Sequence, residues 1–462
     1  MRRNFMNSDT IKRINEREIA LNILLKVLEE GQFSHLVLRE VLASYQDLEK
    51  RQRAFINNLV QGSIQHKLEL DYIINQFSKI PTSKMKPLIR NLMRLSVYQM
   101  KYMDQVPDSA ICNEAVKLAS KRGYSSLRGF VNGVLRSILR GLHDIEYPSD
   151  PIEAFEVLYS IPKWMLELWS ESYELEIVRK ICEAVNQSTT FTIRTNTELV
   201  SPEVLFESLR SQGFQVSPHP YLPYACYLSG VDYLDAIADF RRGEFYVQDI
   251  SSMLVTEIAD VKPGYSCVDV CAAPGGKSLH LASKLKGTGT VLARDLTEFK
   301  VRLINENRIK SGLTNIKTQV WDARVYDESL HQQMDLVLAD LPCSGLGIIG
   351  KKPDLRYNAS KEGIESLVKL QREILTVVKD YVKPGGVLLY STCTIHPSEN
   401  EEQVRWFLQS FPEFSLDDIT SYLPPQLQED VRDFGMLQLL PGVHETDGFF
   451  LCRLKRSNTD HT

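Results

Sequence analysis

The chain reads as a multidomain protein: an all-helical N-terminal bundle, a small α+β linker module, and a C-terminal α/β domain built on a parallel sheet. Three observations predict this. Apolar residues recur at helical spacing through residues 11–143. The stretch HDIEYPSDP at 143–151 breaks that rhythm with two prolines, acidic residues and a serine. From Gln248 onward, strand-like runs alternate with helical ones, as successive βα units do.

The helical front shows its core face plainly. Ile19, Ala20, Ile23, Leu24, Val27 and Leu28 repeat at i, i+3, i+4, and so do Phe55, Ile56, Leu59 and Val60. Ile89, Leu92, Met93, Val97 and Met100 follow, then Leu127, Phe130, Val131, Val134, Leu135, Ile138 and Leu139. The opposite face of that last stripe carries Arg128, Arg136 and Arg140. In the middle module Phe191–Thr197 alternates as a strand does. Pro202–Gln212 reads as a helix with Ser201 as its N-cap, and Tyr224–Ser229 reads as a second strand. The last domain offers strands at Ser266–Cys271, Thr290–Leu296, Ile316–Asp322, Asp335–Leu341, Val387–Cys393 and Phe449–Leu454. Helices are expected at Lys277–Leu285, Glu298–Ser311 and Leu367–Val382, the last ending at a turn over Lys383–Gly386. The expected boundaries are 1–145 for the bundle, 146–240 for the module, 241–456 for the α/β domain and 457–462 for a disordered tail.

Composition narrows the classes. The chain has 462 residues, 43% hydrophobic and 24% charged, which is ordinary globular usage. No run of about 18 apolar residues occurs, so no membrane helix is expected. Residues 1–22 hold Arg2, Arg3, Lys12, Arg13 and Arg17 without an apolar stretch, which predicts no secretory leader. The eight cysteines are scattered with no CxxC pair, which fits reduced thiols in a cytoplasmic protein and points to no metal. Charge is uneven. Residues 1–145 carry 23 Lys and Arg against 14 Asp and Glu, a net +9, while the remainder carries 31 against 45, a net −14. A basic front on an acidic body fits a polyanion-binding module joined to something else.

The chemically interesting residues fall at strand carboxyl ends, where ligands bind in parallel sheets. After the first strand comes the turn Cys271-Ala272-Ala273-Pro274-Gly275-Gly276-Lys277, which lets backbone approach a ligand and opens a helix with free N–H groups. It is neither GxGxxG nor GxxxxGK[ST], which disfavours nicotinamide and nucleoside-triphosphate sites. Asp295, Asp322 and Asp340 close the next three strands. A single aspartate there is commonly a helix cap. Three in register suit a cofactor with a ribose diol, an amine and a positive sulfonium, and would repel a diphosphate.

Cys343 follows the fourth of these strands in DLPCSG, and Cys393 ends the fifth in STC. One cysteine at a strand end is commonly core filler. Two at neighbouring ends of one cofactor sheet fit covalent catalysis at carbon 5 of cytosine. A thiolate adding at carbon 6 makes carbon 5 enamine-like, so that it can attack a sulfonium methyl. An acid at N3 would stabilise the adduct, and Asp340 is close in the chain.

DVCAAPGGK (269–277), DLPCSGLG (340–347) followed by KKPDLRY, and STCTIHPSENE (391–401) resemble the RNA 5-methylcytosine methyltransferases. More narrowly, the chain is similar to the bacterial small-subunit (16S) ribosomal RNA cytosine-5 methyltransferase B family, also called Sun or Fmu. EAVKLA (114–119) and FVNGVLRSIL (130–139) resemble the RNA-binding antitermination factor NusB, and FYVQDISS (245–252) matches the family's approach to its catalytic domain. The resemblance implies a NusB-like bundle, an RNA-contacting module and a Rossmann-like class I methyltransferase domain. It implies S-adenosylmethionine as cofactor, no metal, 16S ribosomal RNA as partner, and neither membrane nor obligate protein partner. By the same resemblance Cys393 is the nucleophile and Cys343 assists release of the methylated base. Cys271, Ala272, Ala273, Pro274, Gly275, Gly276, Lys277, Asp295, Asp322 and Asp340 line the cofactor site, with Lys277 and Asp340 also reaching the target base. Transfer RNA or DNA as substrate, or a retired domain in an RNA-binding antitermination or assembly factor, are the readings left beside it.

Overall fold

The computed structural model describes residues 15–45, 48–187, 191–231 and 233–458. Arg2, Arg3, Lys12 and Arg13, and residues 459–462 of the expected tail, lie outside the described residues. The chain forms two compact units. One comprises residues up to Leu168 together with Lys352–Asn358; the other holds the rest.

The first unit is helical. Its helices span Glu16–Leu28, Ser34–Ser44, Lys50–Gln65, Lys67–Phe77, Pro87–Tyr102, Asp108–Lys121, Arg128–Gly141 and Pro151–Leu158. The side chain of Asn15 caps the first by accepting from Glu18 N, and Glu49 and Gln52 form a reciprocal capping box on the third. The predicted stripes form one core: Ile23, Leu24, Ile56, Leu59, Leu92, Met93, Val131 and Leu135 are fully buried within it or nearly so. Arg128, Arg136 and Arg140 stay exposed. The predicted break at 143–151 ends in a helix start, with Asp150 capping and Pro151 at the first helical position.

Part of the KKPDLRY motif completes this unit. Asp354 accepts from Ser34 N at 3.3 Å and from Ser34 Oγ at 2.5 Å. Fully buried Arg356 donates to the carbonyls of Gln65 (3.2 Å), Tyr159 (2.8 Å) and Ser160 (3.4 Å). Lys67 Nζ sits 4.0 Å over the Tyr357 ring.

In the second unit the helix Leu175–Ala184 precedes a four-stranded antiparallel sheet. Its strands are β1 (Phe191–Thr195), β2 (Gln215–Pro218), β3 (Ala225–Ser229) and β4 (Phe245–Val247), in the order β2-β3-β1-β4. The helix Pro202–Ser211 is capped by Ser201, as its sequence predicts. β2 and β4 are too short to show an alternating pattern, and the sequence reading has neither.

The remaining strands are β5 (Ser266–Asp269), β6 (Thr290–Asp295), β7 (Ile316–Val320), β8 (Met334–Asp340), β9 (Val382–Thr392), β10 (Phe414–Leu416), β11 (Val431–Arg432), β12 (Met436–Leu439) and β13 (Phe449–Arg456). They form one sheet in the order β11-β12-β13-β9-β8-β5-β6-β7, with β10 on β13. β5 to β9 pair in parallel, and β13 runs antiparallel to β9. From β5 the chain winds outward through β6 and β7, then returns to β8 on the other side. The crevice at the carboxyl ends of β5 and β8 is therefore the switch point where such sheets bind ligands.

Two expectations change. Lys383–Gly386 is not a turn before the fifth strand but lies inside β9. Met334 pairs with Val382 and Leu336 with Val387, so the extra residues are taken up as a bulge, with Gly385 at φ +75°. The helix expected at Leu367–Val382 runs Lys361–Val378, because Ser360 caps it earlier. Among the described residues no helix is long and apolar enough to cross a membrane.

Arg356→Ala strips a buried donor from the three carbonyls it serves. It should destabilise the protein by about 3 kcal/mol, read as a lower urea midpoint for the transition that reports the helical unit.

Candidate active site

The turn after β5 is built to bring backbone into the crevice. Gly275 adopts φ +107°, a left-handed conformation that favours glycine, and stands just before the helix Gly276–Lys284. Gly275 N donates to Ala272 O at 2.7 Å, and Ala272 N donates to Arg294 O at 2.8 Å, tying the turn to β6. Asp295, almost fully buried at the end of β6, accepts from Ala273 N at 3.0 Å and Leu296 N at 2.8 Å and pairs with Lys300. Asp269 ends β5 inside the same turn. Its Oδ2 accepts from Ser278 Oγ at 2.6 Å, while its buried Oδ1 has no hydrogen-bond partner among the described residues. Burial pushes the Asp269 carboxyl up to about 7.

Asp340, at the end of β8, accepts from Lys277 Nζ at 2.7 Å and from Ser391 Oγ at 2.7 Å. Burial alone would lower the Lys277 ammonium, but the Asp340 carboxylate outweighs it and holds that pKa above the ordinary lysine value. Lys277 Nζ also lies 5.2 Å from the centre of the Phe449 ring.

The two predicted thiols meet. Cys343 Sγ and Cys393 Sγ are 3.3 Å apart. The parallel register places Asp340 opposite Ser391, so both chains leave the sheet side by side. The hydrogen bond to Cys393 and burial together hold the Cys343 thiol well above the usual range. Beyond the thiols, Gly347 N donates to Cys393 O at 3.1 Å and Gly448 N donates to Gly347 O at 2.9 Å. A Cβ on Gly347 would stand 2.0 Å from Gly448 O, so only glycine fits there.

A buried carboxylate fastens this arrangement. Glu399 Oε1 accepts from Ser344 N (2.9 Å) and Gln371 Nε2 (3.2 Å), and its Oε2 accepts from Ser344 Oγ (2.5 Å). Gln371 Nε2 also donates to Pro342 O at 2.9 Å, and Ser344 Oγ meets Thr394 Oγ1 at 2.8 Å. The residues on either side of Cys343, and the one after Cys393, thus share one fully buried anchor.

Most of the site residues expected from the sequence converge here: the turn 271–277, Asp295, Asp340, Cys343 and Cys393. Asp322 differs. It lies beyond β7 and is gripped by its neighbour Arg324 in two hydrogen bonds, at 3.1 and 2.7 Å, which lower its pKa. The sequence reading gave Arg324 no role. It also passed over Asp269 and Glu399, whose only signal was their place in DVCAAPGGK and STCTIHPSENE. Among the described residues no cysteine forms a disulfide. Among the described residues no group of three or more His, Cys, Asp or Glu side chains is placed to hold a metal ion.

Comparison with known proteins fits this geometry. The family model for 16S rRNA methyltransferase RsmB/F matches residues 257–455, the NusB family matches 14–140, and the RsmF/B-like ferredoxin-like domain matches 161–231. A probable ribosomal RNA small subunit methyltransferase B from Bacillus subtilis (strain 168) is 37% identical over 450 residues, 96% of this chain and 100% of the relative. The chain belongs to the ribosomal RNA small subunit methyltransferase B family. The methyltransferase B of Cronobacter sakazakii is 30% identical over 96% of this chain and 99% of its own length. The crystal structure of PH0851 superposes with a TM-score of 0.79 at 28% identity, covering 96% of this chain and 99% of that one. A methyltransferase homologue from Pyrococcus horikoshii covers 67% of this chain and all of its own, with a TM-score of 0.55 at 27% identity. The family architecture is thus a NusB helical domain, a ferredoxin-like module and a mixed-sheet methyltransferase domain that depends on S-adenosylmethionine.

Two outcomes test the geometry. Asp269 is raised in the folded state, so its contribution to stability is full below its unfolded value and is lost as pH rises through about 7. Asp269→Asn should therefore raise the thermal midpoint more at pH 8 than at pH 5. Glu399→Ala should free the Cys343 loop and lower kcat by about 10²-fold, with Glu399→Gln recovering part of the rate in a methyl-transfer assay.

Proposed function

We propose that this chain methylates carbon 5 of a cytosine in small-subunit (16S) ribosomal RNA through a transient bond between Cys393 and carbon 6 of the ring. The supporting observation is the 3.3 Å approach of two thiols beside the Lys277–Asp340 ion pair, at the switch point of the sheet. S-adenosylmethionine supplies the methyl group. The residues present fit it. The unpartnered Asp269 Oδ1 can take a hydrogen bond from an amine, Asp295 from a ribose, and the turn around Gly275 leaves room for close backbone approach. The carboxylates of Asp269, Asp295 and Asp340 set a negative field suited to a sulfonium.

Cys393 gives its proton to solvent and adds to carbon 6 as the thiolate, with the Cys343 S–H beside it, and the electron pair of the 5,6 double bond becomes available at carbon 5 for attack on the methyl. Lys277 and Asp340 offer one donor and one acceptor side by side, which match N3 and the exocyclic amine of cytosine. Because Asp340 already accepts from Lys277 and Ser391, the proton that stabilises N3 comes from Lys277 rather than from Asp340. After transfer the carbon-5 proton leaves to solvent beside Cys343, which assists release of the base. The ring double bond re-forms, N3 returns its proton to Lys277, and the bond to Cys393 breaks with its electrons returning to sulfur. The target base has to leave its stack to reach this crevice. The exposed Arg128, Arg136 and Arg140 of the helical unit would contact phosphates and make RNA affinity salt-dependent.

Transfer of labelled methyl to small-subunit RNA, followed by nucleoside chromatography, should yield 5-methylcytidine; another product, or none, refutes the reading. Cys393→Ala should abolish turnover while keeping cofactor affinity within about a few fold. Cys343→Ala should accumulate an RNA adduct that survives denaturing gels, and absence of that band would count against its release role.

A further inference from the structure

A cavity opens along the loop that follows Cys343, at Gly347 and Lys351. It measures about 410 Å³, within the roughly 300–1,000 Å³ range of small-molecule sites. One wall is the ferredoxin-like module, with Thr192 of β1 and Tyr227 of β3. The facing wall is Gly347, Lys351 and Asp447, on the two loops whose backbones bond to each other and to Cys393 O. Asp447 immediately precedes Gly448 and Phe449, and the Phe449 ring faces Lys277. The cavity therefore backs directly onto the catalytic loops.

Its centre is a charged group with an acid to spare. Lys351 Nζ is held by Asp249 Oδ2 at 2.9 Å and by Asp447 Oδ2 at 2.6 Å. The Lys351 side chain is 35% exposed and that of Asp447 20%, so both still present polar surface. Burial and the neighbouring Asp249 push the Asp447 carboxyl up to about 7, so at mildly alkaline pH it stands as a carboxylate and accepts. Glu183 and Glu445 also line the cavity, against Lys180 and Lys351. This surplus of carboxylates disfavours a phosphate. The cofactor residues Asp269, Asp295 and the turn 271–277 lie elsewhere and do not line it. What suits a polar, acid-rich cavity of this size beside a flipped cytosine is the hydrogen-bonding edge of another base.

We propose that this cavity receives the base of the nucleotide next to the target cytosine and that Asp447 selects there for a base bearing an exocyclic amine over uracil. The proposal rests on the function proposed above. A carboxylate accepts from the amine of adenine, cytosine or guanine, whereas the one imino N–H on the pairing edge of uracil is flanked by two carbonyl oxygens that would repel it. Lys351 and Asp249 act as positioning residues that hold Asp447 at the cavity wall.

The test uses the full-length protein and short RNAs that carry the target cytosine with each of the four bases in turn on its 5′ and 3′ sides. Wild type should show kcat/KM about tenfold lower with uridine at one of the two positions. Asp447→Asn, which both donates and accepts, should narrow that difference to about twofold while cofactor affinity stays unchanged. A wild-type enzyme indifferent to both neighbours overturns the proposal. So does an Asp447→Asn enzyme that is slower on every RNA with its preference intact, since Asp447 would then only secure Lys351. Photocrosslinking needs no turnover. 8-Azidoadenosine beside the target should attach wild-type protein within 180–187, 347–351 or 441–447, and attachment only elsewhere also overturns it. Failure of wild type to methylate any RNA, with the crosslink in place, would instead sink the function proposed above and leave this subsite standing.

Discussion

The parallel pairing of β8 with β9 decides where the chemistry can occur. With Asp340 opposite Ser391, the bonding continues one step past the sheet as Leu341 N donates to Ser391 O. Both chains are therefore still in register when they turn away, and two cysteines 50 positions apart reach the same spot. A shift of one residue in either strand would send one side chain to the opposite face of the sheet. The bulge over Val382–Val387 absorbs its extra residues at the far end of β9, so the register at the carboxyl end is undisturbed.

Around that register the fold gathers like charges that would repel one another in isolation. Asp269, Asp295 and Asp340 end three neighbouring strands, and each is relieved differently. Asp340 has the Lys277 ammonium, Asp295 has two backbone N–H groups and Lys300, and Asp269 has one serine hydroxyl. The least relieved of them sits up near neutrality. Such a group lowers stability and keeps an acceptor available, the exchange expected at a binding site.

Much of this was legible in the sequence, for identifiable reasons. The helical stripes have the 3.6-residue period and are buried as read. The βα rhythm located β5 to β9, and the CAAPGGK turn and both cysteines fall at strand ends because such sheets bind ligands there. Residues whose roles depend on distant partners stayed hidden. Glu399 gains its meaning only from Ser344 and Gln371, and Asp447 only from Lys351 and Asp249. Lys383–Gly386 carries the residues of a turn, yet its pairing with β8 makes it a bulge, which only the neighbouring strand could determine. Asp322 stands two residues past β7 rather than at its end, and its pairing with Arg324 was not legible in the sequence.

Residues Lys352–Asn358 carry a further consequence. They arrive in the chain 196 to 320 positions after the residues they bind, and they supply the carboxylate for Ser34 and the guanidinium for the carbonyls of Gln65, Tyr159 and Ser160. The bundle is thus not a self-sufficient cassette joined by a single seam. A gene fragment ending before them would encode helices with their last turns uncapped by their natural partners. Recombination that exchanged only the front half between distant relatives would have to carry this short heptapeptide along with it.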